Sequence, residues 1–72
     1  MSMTASEKIK TIMSRQKFSM GDMAEQTNQS RQNLSNKMKR NDFSESEIQK
    51  MAAVLGCTSE VIFRDADGNI IL

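Results

Sequence analysis

A hydroxyl residue heads each apolar-periodic segment of this chain: Thr4, Ser19, Ser30 and Ser44. A hydroxyl in that place reads as an N-cap, its oxygen accepting from a backbone amide that the helix leaves orphaned. Thr4-Ala5-Ser6-Glu7 and Ser44-Glu45-Ser46-Glu47 have the capping-box form, and Asp22 stands three residues after Ser19. In such a box the carboxylate returns a bond to the capping residue. The segments so opened run to about three turns at most. A chain punctuated this way folds as several short helices on a shared core. Its 72 residues are expected to form one domain, 1–72, burying only roughly 60% of the extended-chain surface.

Ile9, Ile12, Met13 and Gln16 predict a first helix from about Ala5 to Gln16, by their helical spacing. Lys17 and Phe18 make a short connection, with Phe18 plugging the core. Met20, Met23, Ala24 and, weakly, Thr27 mark a very short second helix, broken by Asn28-Gln29. Asn tolerates a left-handed backbone, so a tight turn is expected there. Leu34 and Met38 are the inward residues of a third helix; Arg40-Asn41-Asp42 reads as a polar loop and Phe43 returns to the core. Ile48, Met51, Ala52 and Leu55 place a fourth helix over Glu45 to Leu55, closed by Gly56 as a left-handed cap.

The tail, 58–72, is ambiguous. Thr58 to Phe63 suits either one more helical turn or a strand, and Asp65-Ala66-Asp67-Gly68 is a good hairpin loop before Asn69-Ile70-Ile71-Leu72. A short C-terminal β-hairpin is the favoured reading, because the apolar residues of the last stretch need somewhere to go. The same Asp-rich run lacks the further oxygen ligands and closing Glu of a calcium loop.

Composition excludes more than it proposes. There is no His, no Trp, no Tyr and a single Cys, Cys57. No nucleophile stands with a base, and neither a Gly-rich phosphate loop nor a metal-ligand cluster occurs. An enzyme is therefore not expected, nor a cofactor, a metal or a small-molecule ligand. Cys57 reads as a small buried residue behind the fourth helix, and the seven Met as gap-fillers of an aromatic-poor core. No apolar run approaches the roughly 20 residues of a membrane span, and no signal-peptide pattern opens the chain. A cytoplasmic, nucleoid-associated location is expected.

Charge is divided along the chain. Through Phe43 the net charge is +4, from Lys8, Lys10, Arg15, Lys17, Arg31, Lys37, Lys39 and Arg40 against four acids. From Ser44 onward it is −3. Such a division fits a basic face towards a polyanion and an acidic end turned away.

The informative segment is 19–39. A short supporting helix carries a small residue, Ala24, that lets the next helix cross closely; Asn28 supplies the turn and Ser30 the cap. Ser19 to Ser35 resembles the Cro/C1-type (XRE-family) helix-turn-helix, most strongly over Ser30-Arg-Gln-Asn-Leu-Ser35 and at Leu55-Gly56. The likeness covers about residues 6 to 63. The family usually has Gly at the place of Asn28, and apolar residues at those of Thr27, Gln29 and Lys37. Met38 is expected to cover the loss at Lys37.

The resemblance implies a mainly α, lambda-repressor-like bundle of four to five short helices that binds double-stranded DNA. It places Arg31, Gln32 and Asn36 at base edges, with Asn33 within reach of a base or sugar. Their chemistry suits base reading, since Arg bridges guanine O6 and N7, while Gln and Asn pair with adenine N6 and N7. Phosphate contacts are expected from Lys37, Lys39 and Arg40, from amides near Ser19, Met20 and Ser30, and from Lys17. One such helix covers few base pairs. A homodimer on a pseudo-palindromic operator is therefore expected, with half-sites roughly 34 Å apart, joined through the strand Asn69 to Leu72. The alternative is an antitoxin or adaptor module whose tail binds another protein.

Overall fold

The computed structural model describes residues 3–72. Four helices follow one another: α1 (Ala5–Arg15), α2 (Met20–Gln26), α3 (Arg31–Arg40) and α4 (Glu45–Val54). The fold is mainly α, as the resemblance implies. Gln16 and Leu55, expected inside helices, are instead the caps of α1 and α4. Arg40, expected in a loop, is the last residue of α3.

Each helix starts on its expected hydroxyl. Thr4, Ser19, Ser30 and Ser44 accept from the amides of Glu7, Asp22, Asn33 and Glu47 at 3.0–3.2 Å. Each helix also ends in one way, through a left-handed residue: Lys17 (φ 56), Asn28 (φ 56), Asn41 (φ 51) and Gly56 (φ 73). The amide of that residue donates to the carbonyl three back, and the next amide to the carbonyl five before it. At the first joint these are Lys17 to Ser14 (3.2 Å) and Phe18 to Met13 (2.9 Å). This pairing is the Schellman motif, which satisfies carbonyls the helix end would strand.

Lys17 and Asn41 both carry a Cβ into this region, and they differ in what they gain. The conformation costs roughly 1–2 kcal/mol, less for Asn, and among the described residues Lys17 makes no compensating side-chain bond. Asn41 does. Its Oδ1 accepts from both the amide and the hydroxyl of Ser6, at 3.0 and 2.8 Å, and Ser6 is a buried polar residue in the first turn of α1. Lys17→Gly is expected to raise stability by about 0.5–1 kcal/mol. Asn41→Gly, though it relieves the same backbone, is expected to lower it by about 1–2 kcal/mol by orphaning two buried donors. Urea midpoints of the two variants check the opposite signs.

The core is one cluster: Ile9, Met13, Met23, Ala24, Leu34, Met38, Met51 and Leu55. Met23, Leu34 and Met51 are its fully buried members. Half the cluster is Met, whose unbranched chain fills irregular gaps between short helices. Phe18 and Phe43 pack against the cluster while only partly buried. Ala24 is buried where α2 and α3 make the most extensive helix pairing. No helix of the described residues is long and apolar enough to cross a membrane.

Residues 58–63 are not helical, and no regular strand forms among the described residues. The tail reverses through one antiparallel bridge, Arg64 with Ile70. It is closed by Phe63 N–H to Leu72 O and Ile71 N–H to Phe63 O, each 2.8 Å. At its tip the Asp65 carboxylate accepts from the amides of Asp67 and Asn69 at 3.0 and 2.9 Å. The expected hairpin thus reduces to a bridged turn. Its physical reason is isolation, since two strands need a third element to bury a face, and every residue from Glu60 onward is exposed.

Candidate nucleic-acid interface

The α2–α3 joint positions the site. Leu34 and Met38, one turn apart, are buried and fix which line of α3 faces inward. At 3.6 residues per turn the opposite line runs through Gln32, Asn36, Lys39 and Arg40. All four side chains are exposed. Asn33 flanks that line at the first turn, also exposed. Arg31, three residues before Leu34, is on the inward side of the wheel but is exposed because it is the first residue of the helix. The structure thus brings Gln32, Asn33 and Asn36 onto one solvent-facing surface, with Arg31 exposed at the start of the helix and turned away from it. Within the described chain no hydrogen bond engages the side chains of Arg31, Gln32 or Asn36, so their donors and acceptors face water.

Asn33 is different. Its Nδ2 donates to Gln29 Oε1 (3.0 Å), Gln29 Nε2 donates to Thr27 Oγ1 (2.7 Å), and that hydroxyl donates to Met23 O (2.7 Å). A chain of side-chain bonds therefore spans the turn from α2 to α3. Sequence reasoning missed it. Its signal was there: Thr27 and Gln29 are the polar residues at places the family usually fills with apolar ones. Together they replace apolar packing by a bonded polar strap.

Lys37 is also drawn aside. It is half-buried, and its Nζ meets Glu47 Oε2 of α4 at 2.9 Å. That contact explains why α4 has only half its expected capping box. Ser44 accepts from the Glu47 amide, but the Glu47 carboxylate does not reach back to the Ser44 amide. In α1 and α2, where no such cation intervenes, both arms form. The Lys37 ammonium holds the Glu47 carboxyl below the usual carboxylate range, with Ser44 and Lys50 assisting and burial opposing. A depressed carboxyl pKa means the pair supports the fold above the ordinary carboxylate range and fades as acid protonates Glu47.

Of the remaining expected phosphate residues, Lys17, Lys39 and Arg40 are exposed, the last two on the outward line of α3. Ser30 is exposed at the N-terminus of α3, its hydroxyl engaged by Asn33 N–H at 3.0 Å. Ser19 is doubly occupied, its hydroxyl by the Asp22 amide and its amide by the Asp22 carboxylate at 3.3 Å. Met20, beside it, is half-buried. Cys57 is half-buried rather than buried, with its thiol 3.5 Å from Leu55 O.

The family model of the Cro/C1-type HTH DNA-binding domain matches residues 8–64, which takes in most of α1 and the whole of α2, α3 and α4. No curated protein and no solved structure matches the chain. A capped supporting helix, a left-handed turn and a recognition helix with an unengaged polar line, all inside that match, place the chain in one family: it belongs to the Cro/C1-type helix-turn-helix DNA-binding proteins.

Proposed function

We propose that this chain is a sequence-specific transcriptional regulator, a repressor that binds a pseudo-palindromic operator as a homodimer in the cytoplasm. The observation that carries the reading is the outward line of α3, where Gln32 and Asn36 stand free and exposed directly opposite Leu34 and Met38. In the major groove Arg31 reads guanine, Gln32 and Asn36 read adenine, and Asn33 reaches a base or sugar when Gln29 releases it. Lys39, Arg40 and Lys17 bind phosphates, as do the backbone amides at the start of α3 near Ser30, with Ser19 and Met20 at the margin. Two copies join through the tail, Asn69 to Leu72, so that two recognition helices meet successive major grooves.

Selection of bound sites from a random DNA pool at fixed salt tests this reading. Enriched inverted repeats support it; no salt-sensitive association with any DNA would end it. Light scattering on the chain shortened to residue 64 tests the dimer, since an unchanged dimer places the interface elsewhere.

Lys37 has a partner that competes with phosphate, and this gives a directional prediction. Glu47→Gln keeps a residue suited to the third helical position and removes the charge that holds Lys37. DNA affinity is expected to rise a few-fold, and the slope of log K against log salt to steepen by up to about 0.9, one released counterion. Acidification of the unaltered protein acts in the same direction until the fold itself weakens. Salt titrations by fluorescence anisotropy read both.

The second reading, an antitoxin or adaptor that binds another protein through its tail, is favoured by the exposed Val61, Ile62, Phe63, Ile70 and Ile71. Unimpaired biological activity of the Gln32→Ala, Asn36→Ala double variant would select it.

A further inference from the structure

The hydrogen-bonded strap from α2 to α3 has a direction, and its inner end sets it. The Thr27 hydroxyl lies 2.7 Å from Met23 O and 3.4 Å from Ala24 O. Both are backbone carbonyls, which only accept, so the single hydroxyl proton is spent there. Only lone pairs remain on Thr27 Oγ1, and the Gln29 atom that meets them at 2.7 Å is therefore Nε2. That turns Gln29 Oε1 towards Asn33, and the Asn33 atom that meets it at 3.0 Å is Nδ2. Reversing either amide would set donor against donor or acceptor against acceptor. The backbone is pinned as well. The Gln29 amide donates to Ala24 O at 2.9 Å, and the Asn33 amide to Ser30 Oγ at 3.0 Å. Thr27 and Gln29 are half-buried, while Asn33 is exposed. Among the described residues its Oδ1 meets no donor.

We propose that the strap makes Asn33 a one-sided reader. Held by its nitrogen, it offers its oxygen to an exocyclic amino group in the major groove, cytosine N4 or adenine N6. Thr27 and Gln29 are the positioning residues that enforce this choice. The inference rests on the base-reading role of α3 proposed above and adds the chemistry that one operator position presents to the protein. Release by Gln29 is needed only for the nitrogen to reach DNA; the oxygen is available with the strap closed. Guanine and thymine show only acceptors in the major groove. Against Oδ1 these set lone pair against lone pair, and the remaining hydrogen on Nδ2 belongs to the anchored end. To pair with them Asn33 has to leave Gln29, whose half-buried Oε1 then loses its donor. That loss is expected to weaken binding by about two- to tenfold. An amino group is accepted with every strap bond intact, by a side chain already ordered before it binds.

Site selection from a random DNA pool with the unaltered chain and with Asn33→Ala identifies the operator position that depends on Asn33. At that position, a base lacking only its amino group is expected to weaken binding of the unaltered chain about two- to tenfold. Asn33→Ala should not register the change. A loss on substituting a deazapurine that lacks N7, with no loss on removing the amino group, would mean that Asn33 donates, and would overturn the proposal. Thr27→Val, which matches the shape of threonine without its hydroxyl, and Gln29→Leu both free the Asn33 amide to turn. In each, the penalty for removing the amino group is expected to shrink, and the base pair with its strands exchanged should bind nearly as well as the selected one. Thr27→Ser keeps the hydroxyl and should keep the full penalty. Preferences at the positions that depend on Gln32 and Asn36 should stay intact throughout, which also shows the variants folded. Undiminished discrimination in both Thr27→Val and Gln29→Leu would overturn the role of the strap. Enriched sites with no Asn33-dependent position would overturn this inference alone, whereas no enriched site at all would remove base reading by α3 with it.

Discussion

Truncating Leu34 to alanine is expected to lower stability by about 2–5 kcal/mol, the range for emptying a fully buried leucine site. Leu34 has no exposed surface, and it stands where α3 meets the rest of the core. Stabilities of roughly 0.05–0.15 kcal/mol per residue leave a chain of this length little beyond that loss. Urea denaturation followed by circular dichroism should find Leu34→Ala partly or wholly unfolded without denaturant, and DNA binding should fall with it. Met23→Leu, at a site equally buried, conserves volume and is expected to cost less than about 1.5 kcal/mol. A mild effect at Leu34 would mean that α3 is not held by the core as described.

Substituting the exposed polar residues of α3 has the second large effect, and it lies in recognition alone. Gln32→Ala, Asn36→Ala and Arg31→Ala are each expected to cost about 1–3 kcal/mol on the selected operator, a factor of roughly 5 to 150. Binding to unrelated DNA should barely change. Lys39→Ala and Arg40→Ala should do the reverse, weakening every sequence alike and flattening the salt slope by about 0.9 each. All five residues are exposed and outside the core, so thermal midpoints should stay near that of the unaltered chain. Anisotropy titrations on operator and scrambled duplexes separate the two patterns. Equal losses on both duplexes for Gln32→Ala would remove it from the base-reading set.

What was legible in the sequence was local. Ser30 three residues before an amide, Leu34 and Met38 a turn apart, and Leu55-Gly56 at a helix end all act within one or two turns. The polar line of α3 follows from them by periodicity, so it too could be read off the chain. What escaped depends on distance or on an improbable backbone. Lys17 is left-handed because the Phe18 amide must reach Met13, and nothing in a Lys announces that. Asn41 meets Ser6 across 35 residues, and Lys37 meets Glu47 only because α3 and α4 are brought side by side. The tail is ambiguous in sequence for a physical reason: Thr58 to Phe63 pairs only with the last residues of the chain, through Phe63, and no core element chooses a periodicity for it. Its apolar residues stay exposed and its pairing stops at a single bridge.

The helix ends have a consequence for how this protein can be measured. These ends are closed by short hydrogen bonds among hydroxyl, amide and backbone groups, with the Glu7 and Asp22 carboxylates completing two of the caps, and Lys37–Glu47 is the one ion pair among the described residues. Short-range closures of that kind depend little on dissolved electrolyte, whereas a grip on phosphates depends on it steeply. Raising salt should therefore strip the protein from nucleic acid long before it loosens the bundle. A dissociation curve against ionic strength then reports the contact surface with little contamination from unfolding.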